Sequence, residues 1–209
     1  NLASVGRALQ QASAAAWGWA AVIYLLGFLP RALRWRLMLS PVGNFRFADL
    51  WRCIVMGYAG NNVLPFRLGE LVRAIMFRRF TGFSRTTGIS SIMAERLLDG
   101  VTLVFIFGTV LAGTASIGQM RAGLQPVFIG AALLAAGGLG LLLFSWFFID
   151  RLIIRANRHS ERAGKLISKF ADAIAFGRQS RILLPVLALS LLVWVLEGSM
   201  FVILAYSMD

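Results

Sequence analysis

The stretch GNNVLPFRLGELVR at positions 60–73 decides how the rest of the chain is interpreted. It places two amides, a proline and three charged side chains in a chain that is otherwise rich in long apolar runs. Polar and ionisable groups are costly inside a membrane, so each one found there suggests a functional site. Whether this stretch lies at membrane depth depends on the composition and on the apolar runs around it.

The composition is typical of an integral membrane protein. The 209 residues are 58% hydrophobic with a mean hydropathy of +0.75, and 14% of them are charged. A soluble domain carries about 25% charged residues. Several apolar runs reach the roughly 20 residues that a helix needs to cross the hydrocarbon core. We therefore predict an all-α fold, a polytopic helical membrane bundle that forms a single domain over residues 1–209.

Membrane topology explains the basic charge better than a nucleic-acid partner does. The net charge is +12, with nineteen Arg and two Lys. Most of the Arg residues flank apolar runs, which is where the positive-inside rule places them on the cytoplasmic side. We expect no nucleic-acid partner. Cys53 and His159 are each the single residue of their type and have no ligand cluster around them, so no disulfide, metal or other cofactor is expected.

Four apolar segments are predicted to span the membrane, at about 12–29, 87–111, 126–149 and 182–208. The third is rich in Gly and Ala at four-residue spacing, which suits internal packing and a homodimer contact equally. The connector 150–181 carries eight Lys or Arg and three Asp or Glu, so it is either a helix on the cytoplasmic leaflet or a solvated helical hairpin. Because the first span starts outside in this topology, we expect the chain to be a fragment of a longer membrane protein.

The segment 48–80 has positive charge on both sides, at 31–46 and at 73–85. If both flanks are cytoplasmic, the segment enters the membrane and returns as a re-entrant helical hairpin. Irregular backbone at that depth is tolerated where it is buried in protein or lines a wet cavity. The expected breaks are Gly57, Gly60, Asn61, Asn62 and Pro65. The alternative is one poor spanning helix followed by an inverted loop.

Two charged helix faces are expected to pack together as an ion-pair network. Two carboxylates four residues apart share one face and repel each other unless cations neutralise them. The residues are Glu95, Arg96 and Asp99 on one helix, Arg67, Glu70 and Arg73 on the returning arm of the hairpin, and Arg52 and Glu197 as further charges that bring the balance to zero.

The network has two interpretations. In the first, the charges only lock the hairpin against its neighbours and bind nothing. In the second, the arginines border a cavity for an anionic group such as a lipid phosphate, which suits the planar guanidinium fork. Pro65 would then occupy the first position of a half-helix whose N–H groups point at the anion, with Asn61 and Asn62 as caps or head-group ligands. Glu197 either pairs with an arginine or is a protonated, hydrogen-bonded carboxyl.

Several motifs resemble one known family. They are Arg34-Trp35 after the first apolar run, NNVLPFRLGELVR at 61–73, AERLLD at 94–99 and the late Trp194 and Glu197. This combination resembles the flippase-like lysylphosphatidylglycerol synthase transmembrane-domain family, which includes the lipid-flipping half of multiple-peptide-resistance factors and stand-alone proteins of bacteria and archaea. The resemblance implies a bacterial or archaeal cell membrane protein that moves an anionic or aminoacylated phospholipid, or a glycolipid, between leaflets.

The leading hypothesis is therefore a lipid transporter whose partner is a lipid with an anionic head group. The chain has no aminoacyl-transferase domain and no Gly-x-x-x-x-Gly-Lys-Ser/Thr loop, so synthesis and ATP hydrolysis are not expected of it. The predicted substrate-binding residues are Asn61, Asn62, Pro65, Arg67, Glu70, Arg73, Glu95, Arg96, Asp99 and Glu197. The alternatives are a membrane enzyme that uses Glu95 or Asp99 as a base on a lipid-linked or polyprenyl-phosphate substrate, and a non-transporting scaffold for a lipid-modifying enzyme.

Overall fold

The computed structural model describes residues 13–116 and 175–207, together with residues 129, 130, 133, 136, 164, 167, 168 and 171. The helices with described bounds are α1 (Ala14–Leu26), α2 (Phe28–Leu39), α3 (Phe47–Val63), α4 (Gly69–Thr81), α5 (Arg85–Ser116) and α6 (Ser180–Tyr206), with 3₁₀ turns at Pro65–Arg67 and Ala175–Arg178. The described residues include no strand, and the all-α prediction is confirmed. The predicted span 126–149 and most of the basic connector 150–181 lie outside the described residues.

Two helices among the described residues are long and apolar enough to cross a membrane, Ala14–Leu39 with 26 residues and Ser180–Tyr206 with 27. At about 1.5 Å per residue, each is longer than the roughly 30 Å hydrocarbon core. The first consists of α1 and α2, which meet at Gly27. It does not end near residue 29 as predicted, because Pro30 lies in the first turn of α2, where a missing N–H group costs no helical hydrogen bond. The predicted span 87–111 lies within α5.

The helices α3 and α4 form an antiparallel hairpin in which backbone meets backbone. A Cβ atom at position 69 would lie 2.0 Å from the carbonyl oxygen of Gly57 and 2.5 Å from the nitrogen of Asn61. A Cβ atom at position 60 would lie 3.0 Å from Cα of Gly69. The glycines therefore allow a helix separation that no larger residue would permit.

The break in the hairpin is shorter than the sequence analysis predicted. Gly57, Gly60, Asn61 and Asn62 are all helical residues of α3, because the close contact with α4 offsets the cost of glycine in a helix, about 1 kcal/mol. The chain turns only at residues 64–68. Pro65 begins a 3₁₀ turn and not the returning helix, since Phe66 next to it adopts a left-handed conformation, with φ of 58°, and α4 starts at Gly69.

Two clusters of buried apolar side chains hold these helices together. The larger one joins α2, α3, α4 and α5 and consists of Phe28, Ala32, Trp35, Leu39, Phe45, Leu50, Cys53, Ile54, Ala74, Phe77 and Ile92. The smaller one consists of Met38, Ala94, Leu98, Phe176 and Val186. The buried residues of α2 recur at helical spacing and include Arg31 and Arg34. The inner face of α2 therefore carries two arginines into the centre of the protein.

Candidate functional site

A cavity of about 450 Å³ lies among the helices and has a strongly polar wall. Its size falls in the range of small-molecule sites, about 300–1,000 Å³. The lining residues are Tyr24, Arg31, Gly57, Tyr58, Asn61, Asn62, Gly69, Glu70, Arg73, Arg96, Asp99, Val193, Trp194 and Glu197. Seven of the ten predicted site residues belong to this set. The lining residues come from each of the six helices with described bounds, so these helices meet at the cavity.

Glu95 of α5 is the centre of the charged network, although it does not line the cavity. Its side chain is fully buried. It accepts hydrogen bonds from Nη2 of Arg34 and from Nη2 of Arg73, both at 2.7 Å. A buried carboxylate is stable only when cations and donors surround it in this way. The predicted packing of the two charged faces is confirmed by the contact of Arg73 with Glu95.

Arg34 of α2 links α5 to α6. Its Nη1 donates to Oδ1 of Asp99 at 2.5 Å and to the hydroxyl of Ser190 at 3.0 Å, and its side chain is 1% exposed. This role was not predicted from the sequence, because an arginine after an apolar run is typical of a cytoplasmic flank. Met38 lies four residues after Arg34 on the same helix face, and this apolar neighbour is the signal that could have revealed the role.

Trp35 fixes the position of Arg73. The Cζ atom of Arg73 lies 3.8 Å from the centre of the indole ring, a cation–π contact. The indole Nε1 in turn donates to the hydroxyl of Ser91 at 3.0 Å. The guanidinium of Arg73 is therefore contacted by Trp35 on its face and by Glu95 at its edge.

Arg96 differs from the buried arginines because its side chain is 41% exposed and lines the cavity. It has three carboxylate neighbours at longer distances, Glu70 at 3.4 Å, Glu95 at 3.5 Å and Asp99 at 3.4 Å. The predicted contact between the faces is thus confirmed for Glu70 and Arg96 too. The longer separations leave the guanidinium of Arg96 able to take a further acceptor.

Glu197 of α6 pairs with an arginine, which is the first of the two predicted alternatives. Its Oε1 accepts a hydrogen bond from Nη2 of Arg31 on α2. Nη1 of Arg31 donates to the carbonyl oxygen of Gly27 at 3.1 Å. Arg31 is a second site residue that the sequence analysis assigned to a cytoplasmic flank.

The remaining predicted residues take other positions. Asn61 and Asn62 line the cavity from the last turn of α3 and do not cap α4, which begins with no side-chain cap. The Oδ1 atom of Asn61 is buried without a hydrogen-bond partner in the described part of the chain. Pro65 is exposed at the hairpin turn and does not line the cavity. The side chain of Arg67 lies outside the described residues.

Arg52, which the predicted network included, is not part of it. Its side chain is 61% exposed and contacts Asp49 of the same helix at 3.5 Å. In the part of the chain that the structure describes, no three His, Cys, Asp or Glu side chains are grouped as metal ligands.

The part of the chain that the structure describes is helical, with two helices long and apolar enough to cross a membrane and a charged cavity among them, features typical of a helical membrane protein. The chain belongs to the lysylphosphatidylglycerol synthase TM region family, whose sequence profile matches residues 1–209. The resemblance seen in the sequence motifs is therefore confirmed.

The chain is also similar to a curated protein of Haloferax volcanii named glycosyltransferase AglD. The two are 33% identical over 102 residues, which are 48% of this chain and 16% of that protein. The match thus covers a small part of the length of the relative. No solved structure matches the chain.

Proposed function

We propose that this protein is a lipid transporter that moves a lipid with an anionic or aminoacylated head group, or a glycolipid, between the two leaflets. Its family and its apolar helices support a lipid-related role in a membrane. The cavity supports binding of a polar group, because its wall holds three arginines, three carboxylates and two asparagine amides. The head group would occupy the cavity while the acyl chains remain among apolar side chains and lipid.

The proposed topology rests on the arginines that stay exposed at the two ends of the hairpin, which are Arg36, Arg46, Arg78, Arg79 and Arg85. The hairpin α3–α4 enters and leaves the cell membrane on the cytoplasmic side, and α1–α2, α5, the segment 126–149 and α6 cross it. The exposed apolar side chains at the hairpin turn support this placement, since Val63 is 82% and Phe66 93% exposed. Such side chains are stable in hydrocarbon and unfavourable in water. In this arrangement the domain is multi-pass, and its basic connectors are cytoplasmic.

The exposed guanidinium of Arg96 is the observation that carries the proposal. Arg34 and Arg73 are buried and bonded to carboxylates at 2.7 Å or less, so an incoming head group cannot bind them without breaking those pairs. Arg96 faces the cavity with longer carboxylate contacts. Charge-assisted hydrogen bonds from a guanidinium to phosphate are shorter and stronger than such contacts. Arg96 is therefore the cation that a lipid phosphate would bind first.

A transfer assay in proteoliposomes tests the proposal. Fluorescently labelled phosphatidylglycerol, lysyl-phosphatidylglycerol and a neutral glycolipid are placed in one leaflet, and their appearance in the other is followed. We expect transfer of at least one of them to fall about tenfold in Arg96→Ala, the loss of one charged hydrogen bond. Arg52→Ala removes the same charge from an exposed position outside the cavity wall and is the matched control. Equal rates in the two variants, or no transfer by the wild type, would contradict the proposal.

The enzyme alternative is less consistent with the geometry. Two arginines hold Glu95 in a fully buried position, and Asp99 is bonded to Arg34, so neither carboxylate is free to accept a proton from a substrate. Glu70 is the most exposed of the carboxylates that line the cavity, at 39%, so it is the candidate base of an enzyme. The glycosyltransferase name of the Haloferax volcanii relative makes a lipid-linked sugar the substrate class to test. A product formed by the purified protein, and lost in Glu70→Gln, would favour the enzyme.

A scaffold that only assists a lipid-modifying enzyme would need no cavity. The charges would then pair with each other in a closed network. The open space beside Arg96 and Glu70 favours the transporter over this alternative.

A further inference from the structure

The joint between α1 and α2 carries an arrangement that the proposed function does not use. Arg31 folds back against this joint, where its Nη1 donates to the carbonyl oxygen of Gly27 at 3.1 Å. Its Nη2 pairs with Glu197 of α6. The two side chains line the cavity and connect the joint to α6. Tyr58 adds a cation–π contact, with its ring centre 5.3 Å from Cζ of Arg31.

Gly27 makes this position of Arg31 available. A Cβ atom at position 27 would lie 2.8 Å from Nη1 of Arg31, closer than two such atoms can approach. The atom that this Cβ would displace is at the far end of a long side chain, so the guanidinium can move while the helix backbone stays in place. Because Nη1 and Nη2 belong to one rigid planar group, displacing the first also displaces the second and disturbs its hydrogen bond to Glu197.

We propose that Gly27 is a positioning residue for a second head-group contact, which Glu197 makes and Arg31 orients. The inference rests on the proposed function, since it concerns the same cavity. Arg31 and Glu197 place a cation and an anion side by side on the wall formed by α2 and α6. Arg31 is 4% exposed and bonded through both Nη atoms, so it orients its partner, whereas Glu197 is 32% exposed and offers an acceptor to a hydroxyl or ammonium group. A phospholipid head group carries such a group beside its phosphate, so it can bind at Glu197 and at Arg96 at once.

Binding of short-chain dihexanoyl phosphatidylglycerol to the purified full chain in detergent tests the inference, with Gly27→Ala as the variant. We expect the dissociation constant to rise about tenfold, as for the loss of a hydrogen bond to a charged group. The melting temperature should change little, because the helix propensity gained with alanine, about 1 kcal/mol, offsets the weakening of an ion pair whose carboxylate is 32% exposed. A loss of fold would raise the dissociation constant and also lower the melting temperature, so this combination separates positioning from damage. Gly18→Ala is the control, since a Cβ atom there, on the same helix, meets nothing within 4 Å.

A double-mutant cycle with Glu197→Gln shows whether Gly27 acts through the ion pair. Non-additive effects are expected of residues that share one contact. We expect Gly27→Ala to weaken binding further by less than twofold once Glu197 is replaced. Additive effects of the two substitutions would overturn the inference. So would unchanged binding in Arg31→Lys, which keeps the charge but has only one nitrogen for the two acceptors.

The outcomes also distinguish this inference from the proposed function. If the wild type binds the lipid with the expected dependence on Gly27 but transfers no lipid in proteoliposomes, the transport proposal fails and the inference stands. If transfer depends on Arg96 while Gly27→Ala binds and transfers like the wild type, the inference fails and the transport proposal stands. If the wild type does not bind the probe, the second contact is overturned as well.

Discussion

Arg34 and Arg96 share the same two carboxylates but in different environments. Arg34 reaches Glu95 at 2.7 Å and Asp99 at 2.5 Å from α2, and it is 1% exposed. Arg96 contacts them at 3.5 Å and 3.4 Å from α5 itself, and it is 41% exposed. The difference indicates that Arg34 belongs to the buried frame of the protein, meaning the ion pairs that join its helices, and Arg96 to the wall of the cavity. Residue type and sequence position alone would have suggested the reverse, since Arg34 lies in a basic flank and Arg96 in the charged motif.

The largest effect on stability is expected for Glu95→Ala, which removes the central anion of the buried frame. Glu95→Ala leaves Arg34 and Arg73 buried with one carboxylate contact fewer each, which should lower the free energy of unfolding by about 3–5 kcal/mol. The check is equilibrium unfolding in detergent micelles, with Glu70→Ala as the control because that carboxylate is half-exposed. A loss below about 1 kcal/mol in Glu95→Ala would show that the pairs are not part of the frame.

An intermediate effect is expected for Trp35→Leu. The substitution removes the flat contact on Arg73 and the hydrogen bond to Ser91 while keeping an apolar side chain in the core. A desolvated cation–π contact contributes about 2 kcal/mol, so the free energy of unfolding should fall by about that amount. Trp19→Leu, at a position that is 63% exposed, is the control and should change stability far less. Equal losses in both variants would contradict a specific role of the stacked pair.

The smallest effect on stability is expected for Arg96→Ala. Exposed ion pairs contribute about 0–1 kcal/mol, so the free energy of unfolding should change by no more than that, as in Arg52→Ala. The same unfolding measurement checks it. A loss comparable to that of Glu95→Ala would place Arg96 in the frame and remove the contrast with Arg34.

The charged site was largely predictable because carboxylates in apolar surroundings require cations. Helical spacing predicted that the face with Glu70 and Arg73 packs against the face with Glu95, Arg96 and Asp99. The contacts of Arg73 with Glu95 and of Glu70 with Arg96 confirm this packing. The roles of Arg31 and Arg34 were not predicted, since the positive-inside rule offered a sufficient explanation for any arginine after an apolar run. Only packing shows that α2 continues and turns these two residues inward.

The helical fold was predictable from hydropathy, but the hairpin turn was placed too early. Gly57 and Gly60 look like helix breakers in a single sequence, because glycine lowers helix propensity. In the fold each faces the backbone or side chains of α4, a long-range contact that local propensity does not contain. The position of Phe66 in the left-handed region likewise has no sequence signal, because glycine and asparagine are the usual residues there.

The glycine contact in the hairpin has a mechanical consequence. The carbonyl of Gly57 lies directly against the backbone at Gly69, so α3 cannot slide along α4 without a backbone collision. The two helices therefore move together as one rigid body. A change in the shape of the cavity then comes from a tilt of this rigid body, or from a displacement of α2 and α6 relative to it. The side chains of Glu70 and Arg73 both belong to α4, so they would shift together relative to Arg96 on α5.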